Sequence, residues 1–202
     1  MQENNLKARI KKRSYHSYRG IVGDIAPNII DRNFNTSRPY EKAGTDVTVF
    51  VTQYGKLYLS PIIDFFTREV LAYDISEHPD MKQIWRMLHL LAKNHKGKYE
   101  KMILHSDQGY QYQLKSYHKK LKEMGIVQSM SRKGNCLDNS PTENFFGRLK
   151  TEIFYDNEYK YESLEELEEA IIRYIEYYNN SRIVNRLKMA PIKYRILSSN
   201  NL

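Results

Sequence analysis

The feature that most limits the fold is a change of rhythm near the middle of the chain. Three β-branched runs come first: Val47-Thr-Val-Phe-Val-Thr52, Lys56-Leu-Tyr-Leu-Ser-Pro-Ile-Ile63 and Glu69-Val-Leu-Ala-Tyr-Asp-Ile75. The first turn between them is Tyr54-Gly55 and the second spans Asp64 to Arg68, connections too short for a crossover helix. Such runs pair as an antiparallel meander. From residue 81 the pattern alternates. Met81, Ile84, Trp85, Leu88 and Leu91 recur at helical spacing, which predicts a helix over 81–94 stopped by Gly97. A short apolar strand follows at 100–105. Leu114, Tyr117, Leu121 and Met124 predict a second helix ended by Gly125, and 126–130 a fifth strand. Strands alternating with helices require parallel crossovers. The expectation is an α/β domain whose mixed five-stranded sheet is antiparallel in its first half and parallel in its second.

The rest of the chain is read more simply. Residues 1–44 show little periodicity and are expected to be an arm or linker, with one short helix near 5–13. Residues 131–138 read as a mobile loop. Ser140-Pro141 opens a helix, with serine as N-cap and proline at the first helical position. A last helix begins at Ser163 with a capping box to Glu166 and presents Leu164, Leu167, Ile171, Tyr174, Ile175 and Tyr178 on one face. The domain is expected to span 45–197, including this C-terminal helix.

Composition narrows the function classes. With 41% hydrophobic and 12% aromatic residues, 202 residues can fill one core. A lone cysteine, Cys136, leaves neither a disulfide framework nor a cysteine-based zinc motif. No run approaches the roughly 20 apolar residues of a membrane span, and the N-terminus lacks the apolar stretch of a secretory signal. A cytoplasmic, nucleoid-associated protein with no membrane partner is expected. The net charge is +8, and residues 1–44, with nine Lys/Arg against four Asp/Glu, hold +5 of it. The run around Lys11, Lys12 and Arg13 suits a phosphate backbone; its plainer reading is a solvated tail.

Three carboxylates stand out against this background. Asp46 lies at the start of the first strand-like run, and Asp107 follows an apolar strand in His105-Ser-Asp-Gln-Gly109. Glu143 sits one turn into a helix in Ser140-Pro-Thr-Glu-Asn-Phe-Phe146. Oxygen-only ligands at strand ends and on a helix suit hard divalent cations. Each acid also has an architectural reading. Glu143 could complete a capping box with Ser140, Asp107 could form a turn, and Asp46 could end a strand. Asp64, Asp74 and Asp138 compete with them. His105 is read as packing or hydrogen-bonding at its strand end, not as a base, and Cys136 as a small packed residue.

These residues are joined by Asp46-Val-Thr48, Ser129-Met-Ser-Arg-Lys-Gly-Asn135, Asp138-Asn139 with Glu143-Asn-Phe-Phe-Gly147, and Tyr177-Tyr-Asn179 with Arg182. Together they resemble the bacterial insertion-sequence transposases whose catalytic core is similar to retroviral integrase. The resemblance covers residues 46–195. It implies an RNase H-like fold, with Asp46, Asp107 and Glu143 as the DDE triad. It implies two Mg²⁺ or Mn²⁺ ions, Asp46 and Asp107 holding the first, Asp46 and Glu143 the second. The activity implied is cleavage of a phosphodiester at an element end, followed by attack of the freed 3′-hydroxyl on target DNA. Arg132, Lys133, Arg148 and Lys150 are then candidate DNA contacts, with Lys11, Lys12 and Arg13 in the arm. The partners implied are element ends and target DNA, with a homo-multimer assembled on them. About 45 residues precede Asp46, too few for the helix-turn-helix segments of full transposases of this type. A second-frame product, completed by an upstream-frame helix-turn-helix protein, is therefore expected. The alternatives are an inactive, truncated DNA-binding remnant and an RNase H-like nuclease.

Overall fold

The strand that organises the domain is one the periodicity passes over. Residues Lys42–Thr45 form β1, in the segment expected to end the arm. It lies at the centre of the sheet, antiparallel to β3 (Gly55–Asp64) and parallel to β5 (Ile103–Ser106). Lys-Ala-Gly-Thr has little strand propensity, so the pairing comes from its neighbours on both sides. The computed structural model describes residues 23–132 and 140–199. The helix expected near 5–13 lies outside them.

The sheet has six strands, with β2 (Thr48–Thr52), β4 (Val70–Ser76) and β6 (Val127–Met130) completing it. The difference from the expected five is local. Thr45 pairs with Ile62 and Thr48 with Leu59, so the register against β3 runs on unbroken through Asp46 and Val47. β1 and β2 are one strand interrupted at Asp46. Opposite the interruption stands Pro61, which has no N–H to give the ladder. β4 pairs antiparallel with the far side of β3, while β5 and β6 pair in parallel on the other half.

Helices cover both faces. On one side α1 (Met81–His95) and α2 (Lys115–Glu123) bury Ile84, Met87, Leu88, Leu91, Tyr117 and Leu121 against Ile62, Met102 and Leu104. Asp80 starts α1 by accepting from the Gln83 amide (3.0 Å), and Lys96 and Gly97, both at positive φ, end it. On the other side α3 (Ser140–Leu149) and α4 (Leu164–Asn180) bury Phe145, Phe146, Leu149, Leu167, Ile171 and Ile175 against Phe50, Leu57, Leu59 and Ile63. The alternation along β3, with Leu57, Leu59 and Ile63 on one face and Ile62 on the other, is what allows two cores. The Glu166 amide donates to Ser163 Oγ (3.2 Å), as the capping box predicts, while the Glu166 carboxylate accepts from the Glu162 amide.

A final helix, α5 (Pro191–Ser199), was not foreseen. It is anchored by Arg195, whose Nε donates to Oε2 of the buried Glu69 (2.6 Å). The Asn179 side chain acts as a missing strand partner for β4. It accepts from the Val70 amide (2.9 Å) and donates to the Val70 carbonyl (3.0 Å). Arg182 is paired with Glu152, whose carboxyl it holds below the usual range. The Tyr177-Tyr-Asn179 and Arg182 motif is thus partly architectural. No helix among the described residues is long and apolar enough to cross a membrane.

Candidate active site

Asp46 and Asp107 each follow directly on a strand, and those strands are parallel neighbours. Gly44 pairs with His105. Two residues further along each strand, Asp46 and Asp107 stand level at the carboxyl ends. That edge is where open α/β sheets place their ligands. Each carboxylate is also tied down locally. Asp46 Oδ1 accepts from the Val47 amide (2.7 Å) and Asp107 Oδ1 from the Gly109 amide (2.8 Å). The turn-forming reading of Asp107 therefore holds, and it fixes the side chain without excluding a second role.

Burial pushes the Asp107 carboxyl above the usual aspartate range, against the pull of the Gly109 N–H. Beneath the pair lies Tyr112, fully buried and packed on Tyr117 with ring centroids 5.4 Å apart. Its hydroxyl is raised well above the ordinary tyrosine value, first by burial and then by the charges of Asp46 and Asp107. One phenol senses both acids, so the three groups share a small region, and the phenol keeps its proton.

Glu143 is exposed on the first turn of α3. What brings that turn to the sheet is Gly44. A Cβ there would lie 2.3 Å from Thr142 Oγ1 and 2.8 Å from Phe65 Cε1. Only glycine lets α3 sit so close to β1, and Thr142 immediately precedes Glu143. The serine expected to cap α3 lies inside it, and Ser140 Oγ accepts from Asn144 Nδ2 (3.4 Å). Among the described residues, no three His, Cys, Asp or Glu form a ready-made metal group. The donors themselves are carboxylates only, one of them with a raised pKa, and this chemistry fits a hard divalent cation.

The competing acids have other work. Asp64 is buried and accepts from the amides of Tyr40 (2.7 Å), Phe66 (2.9 Å) and Thr67 (2.7 Å), holding the β3–β4 turn. Asp74 pairs with Arg86 (2.8 Å). Asp138 lies outside the described residues, as does Cys136. His105 donates or accepts through Nδ1 to Ser129 Oγ (2.9 Å), and Ser129 Oγ also accepts from the Ile29 amide (2.9 Å). This is the packing role expected of it, and it pins residues 29–30 to the sheet.

The basic candidates divide. Lys11, Lys12, Arg13 and Lys133 lie outside the described residues. Arg132 pairs with Asp31. Arg148 is exposed on α3. Lys150 needs correction as a DNA contact. It is 3% exposed, its Nζ donates to the Val49 carbonyl (2.6 Å), and it stands 4.9 Å from the centre of the Phe50 ring. The α-helix ends at Leu149 and gives way to a wider π-turn over Lys150–Phe154, and at this junction the Lys150 side chain is drawn in to the Val49 carbonyl. Two arginines went unremarked in the sequence, Arg68 and Arg186. They gather with Arg148 around a cavity on the outer side of α3. Their sequence separation left no pattern to find.

Comparison with known proteins identifies the fold and the family. The integrase catalytic core domain of human T-cell lymphotropic virus 2, solved with magnesium, superposes with a TM-score of 0.58 at 12% identity, covering 80% of this chain and 99% of that one. The fold is that of the retroviral integrase core, an RNase H-like α/β sheet. Models of the integrase core domain match residues 36–136 and 143–198. An uncharacterized transposase-like protein of Haemophilus influenzae is 50% identical, over 99% of this chain and 91% of that protein. InsK, the transposase assigned to insertion sequence element IS150 of Escherichia coli, is 52% identical over 95% of this chain and 67% of its own length. The chain belongs to the integrase core domain family, as an insertion-sequence transposase, and its function is DNA transposition by polynucleotidyl transfer.

Proposed function

We propose that Asp46, Asp107 and Glu143 are the catalytic triad of this transposase. The observation that carries the reading is the parallel register of β1 and β5, which levels Asp46 with Asp107 beside a glycine that admits the helix of Glu143. The three carboxylates would hold divalent cations, Mg²⁺ or Mn²⁺, two in number. Bound there, such ions would supply positive charge where negative charge builds on the phosphate oxygens during in-line displacement.

The chain's own residues prepare that site. The Val47 and Gly109 amides each hold one oxygen of Asp46 and Asp107, so the carboxylates are oriented before any ligand arrives. Tyr112 is buried close to Asp46 and Asp107, and its retained proton adds no further negative charge. Water first cuts the phosphodiester at an element end. The freed 3′-hydroxyl then attacks target DNA in line, with no covalent protein–DNA intermediate. The proposed substrates are element ends and target DNA, and the proposed working form is a homo-multimer on them. Lys11, Lys12, Arg13, Lys133 and Arg148 remain proposed contacts to the DNA backbone.

The test uses isosteric changes: Asp46→Asn, Asp107→Asn and Glu143→Gln. Each removes a charge while keeping shape. Each variant should abolish cleavage and strand transfer, remain as stable as the parent or more so, and lose the rise in melting temperature that Mn²⁺ gives by mass action. Asp74→Asn should keep the Mn²⁺ response. A response that survives in the Asp46 and Asp107 variants would sink the assignment.

A further inference from the structure

Outside the carboxylate site, basic side chains from separate elements gather around a cavity of about 430 Å³ on the outer side of α3. Its wall includes Arg68, Arg148 and Arg186, together with Ser140 and Asn144 of the first helical turns and Tyr178 of α4. No aspartate or glutamate lines it. These three arginines have no ion-pair partner among the described residues. Five other arginines do have ion-pair partners: Arg86 with Asp74, Arg132 with Asp31, Arg173 with Glu169, Arg182 with Glu152 and Arg195 with Glu69.

The three come from different elements. Arg68 lies in the β3–β4 turn, Arg148 on α3, and Arg186 in the segment between α4 and α5. Gathering guanidinium groups from three elements with no carboxylate in the cavity wall is unfavourable for folding alone. Burial, followed by repulsion from Arg186 and then Arg148, lowers the pKa of Arg68. Arg68 is also held at φ +62°, a backbone region glycine adopts with ease and arginine rarely does.

We infer that Arg68, Arg148 and Arg186 form a seat for one backbone phosphate of the DNA strand that runs to the carboxylate site. Guanidinium forks match phosphate oxygens bidentately, and arginine keeps its charge when partly buried. The cavity shares its wall with the first turns of α3, the helix that carries Glu143, so a phosphate seated there fixes DNA relative to Glu143. Such a contact sets register and carries no base information. The inference rests on the transposase reading of the carboxylates, and it adds a substrate contact assembled mostly outside the integrase-like motifs.

The experiment measures binding of a duplex oligonucleotide by fluorescence anisotropy, in EDTA, over a series of salt concentrations. The proteins are the parent chain, Arg68→Gln/Arg186→Gln, and Arg186→Lys. Removing one phosphate contact should lower the log–log salt slope by about 0.9. The loss should be the same for an element end and for a random duplex. The double variant should melt at the same temperature as the parent or higher, because repulsion is relieved. Arg186→Lys should keep most of the slope. As a second probe, inorganic phosphate at matched ionic strength should raise the melting temperature of the parent and not of the double variant. An unchanged slope in the double variant overturns the inference. A fall in melting temperature that tracks the loss of binding, and is shared by Arg186→Lys, overturns it too. Cleavage that survives alongside an unchanged slope leaves the carboxylate assignment standing and removes only this seat. A parent chain that binds no DNA removes both.

Discussion

Gly44→Ala is the most economical test of how α3 is positioned. The φ of Gly44 is not in the left-handed region, so alanine meets no backbone penalty there. The effect is steric. The new Cβ would lie 2.3 Å from Thr142 Oγ1, 2.8 Å from Phe65 Cε1 and 3.0 Å from Phe65 Cζ, where real Cβ contacts essentially never fall below 3.0 Å. Among the described residues Thr142 Oγ1 has no hydrogen-bond partner, so it can turn away without breaking a bond. The Phe65 ring is fully buried and cannot turn so easily. Overpacking of this kind costs about 1–3 kcal/mol, offset by roughly 0.4–1 kcal/mol from a stiffer unfolded chain. The net loss should be about 1–2 kcal/mol, or a fall in melting temperature of roughly 2–8 °C for a chain of this size. Activity should fall much further, by about 100-fold, because a displacement near 1 Å at the first turn of α3 misplaces Glu143. Adding Thr142→Ala should recover part of both losses, since it removes the closest clash. Thermal melting beside a strand-transfer assay reads both quantities. Gly44→Ala with parental stability and activity would mean that α3 does not close on β1 as described.

Three further outcomes are expected. Lys150→Met should lower stability by about 1 kcal/mol, the net value of its bond to Val49, and leave the salt dependence of DNA binding unchanged; a slope lowered by about 0.9 would return Lys150 to the DNA surface. Arg195→Met strands the buried Glu69 carboxylate and should cost about 3 kcal/mol at neutral pH. Burial raises the Glu69 pKa, so this loss should shrink as pH falls and the acid takes a proton. A loss independent of pH, followed by denaturant melts from pH 4 to 8, would refute the stranded-charge account. Asp107 is likewise raised by burial. Its stabilising neutral form is fully present below the unfolded pKa and is lost as pH rises through the folded one. Without divalent cations, the stability advantage of Asp107→Asn should therefore grow as pH rises from roughly 4, and a constant difference would contradict it.

Much of this architecture was legible in the residues. The meander of β2, β3 and β4 was visible because its β-branched runs are long and its turns short. The faces of α1, α2 and α4 were visible because each repeats at helical spacing, and Gly125 stops α2 at φ +71° as expected. The missed elements share a property: their structure is imposed from outside. β1 has no strand character of its own and exists because β3 and β5 flank it. α5 is short and is secured by Arg195 reaching 126 residues back to Glu69. Lys150 looked like a surface cation because nothing near it in the sequence shows that its ammonium reaches the Val49 carbonyl, 101 residues back.

The sequence by itself determined the chemistry on offer: oxygen-only carboxylates at strand ends and on a helix, the glycines and the amphipathic faces. Those properties depend on residue type and near neighbours. The tertiary structure alone decided which groups meet. The parallel register sets Asp46 beside Asp107, the missing Cβ of Gly44 admits α3, and three arginines from separate elements converge on one cavity. Contacts across 60 or 100 residues are settled by the packing of whole layers, and no local pattern encodes them.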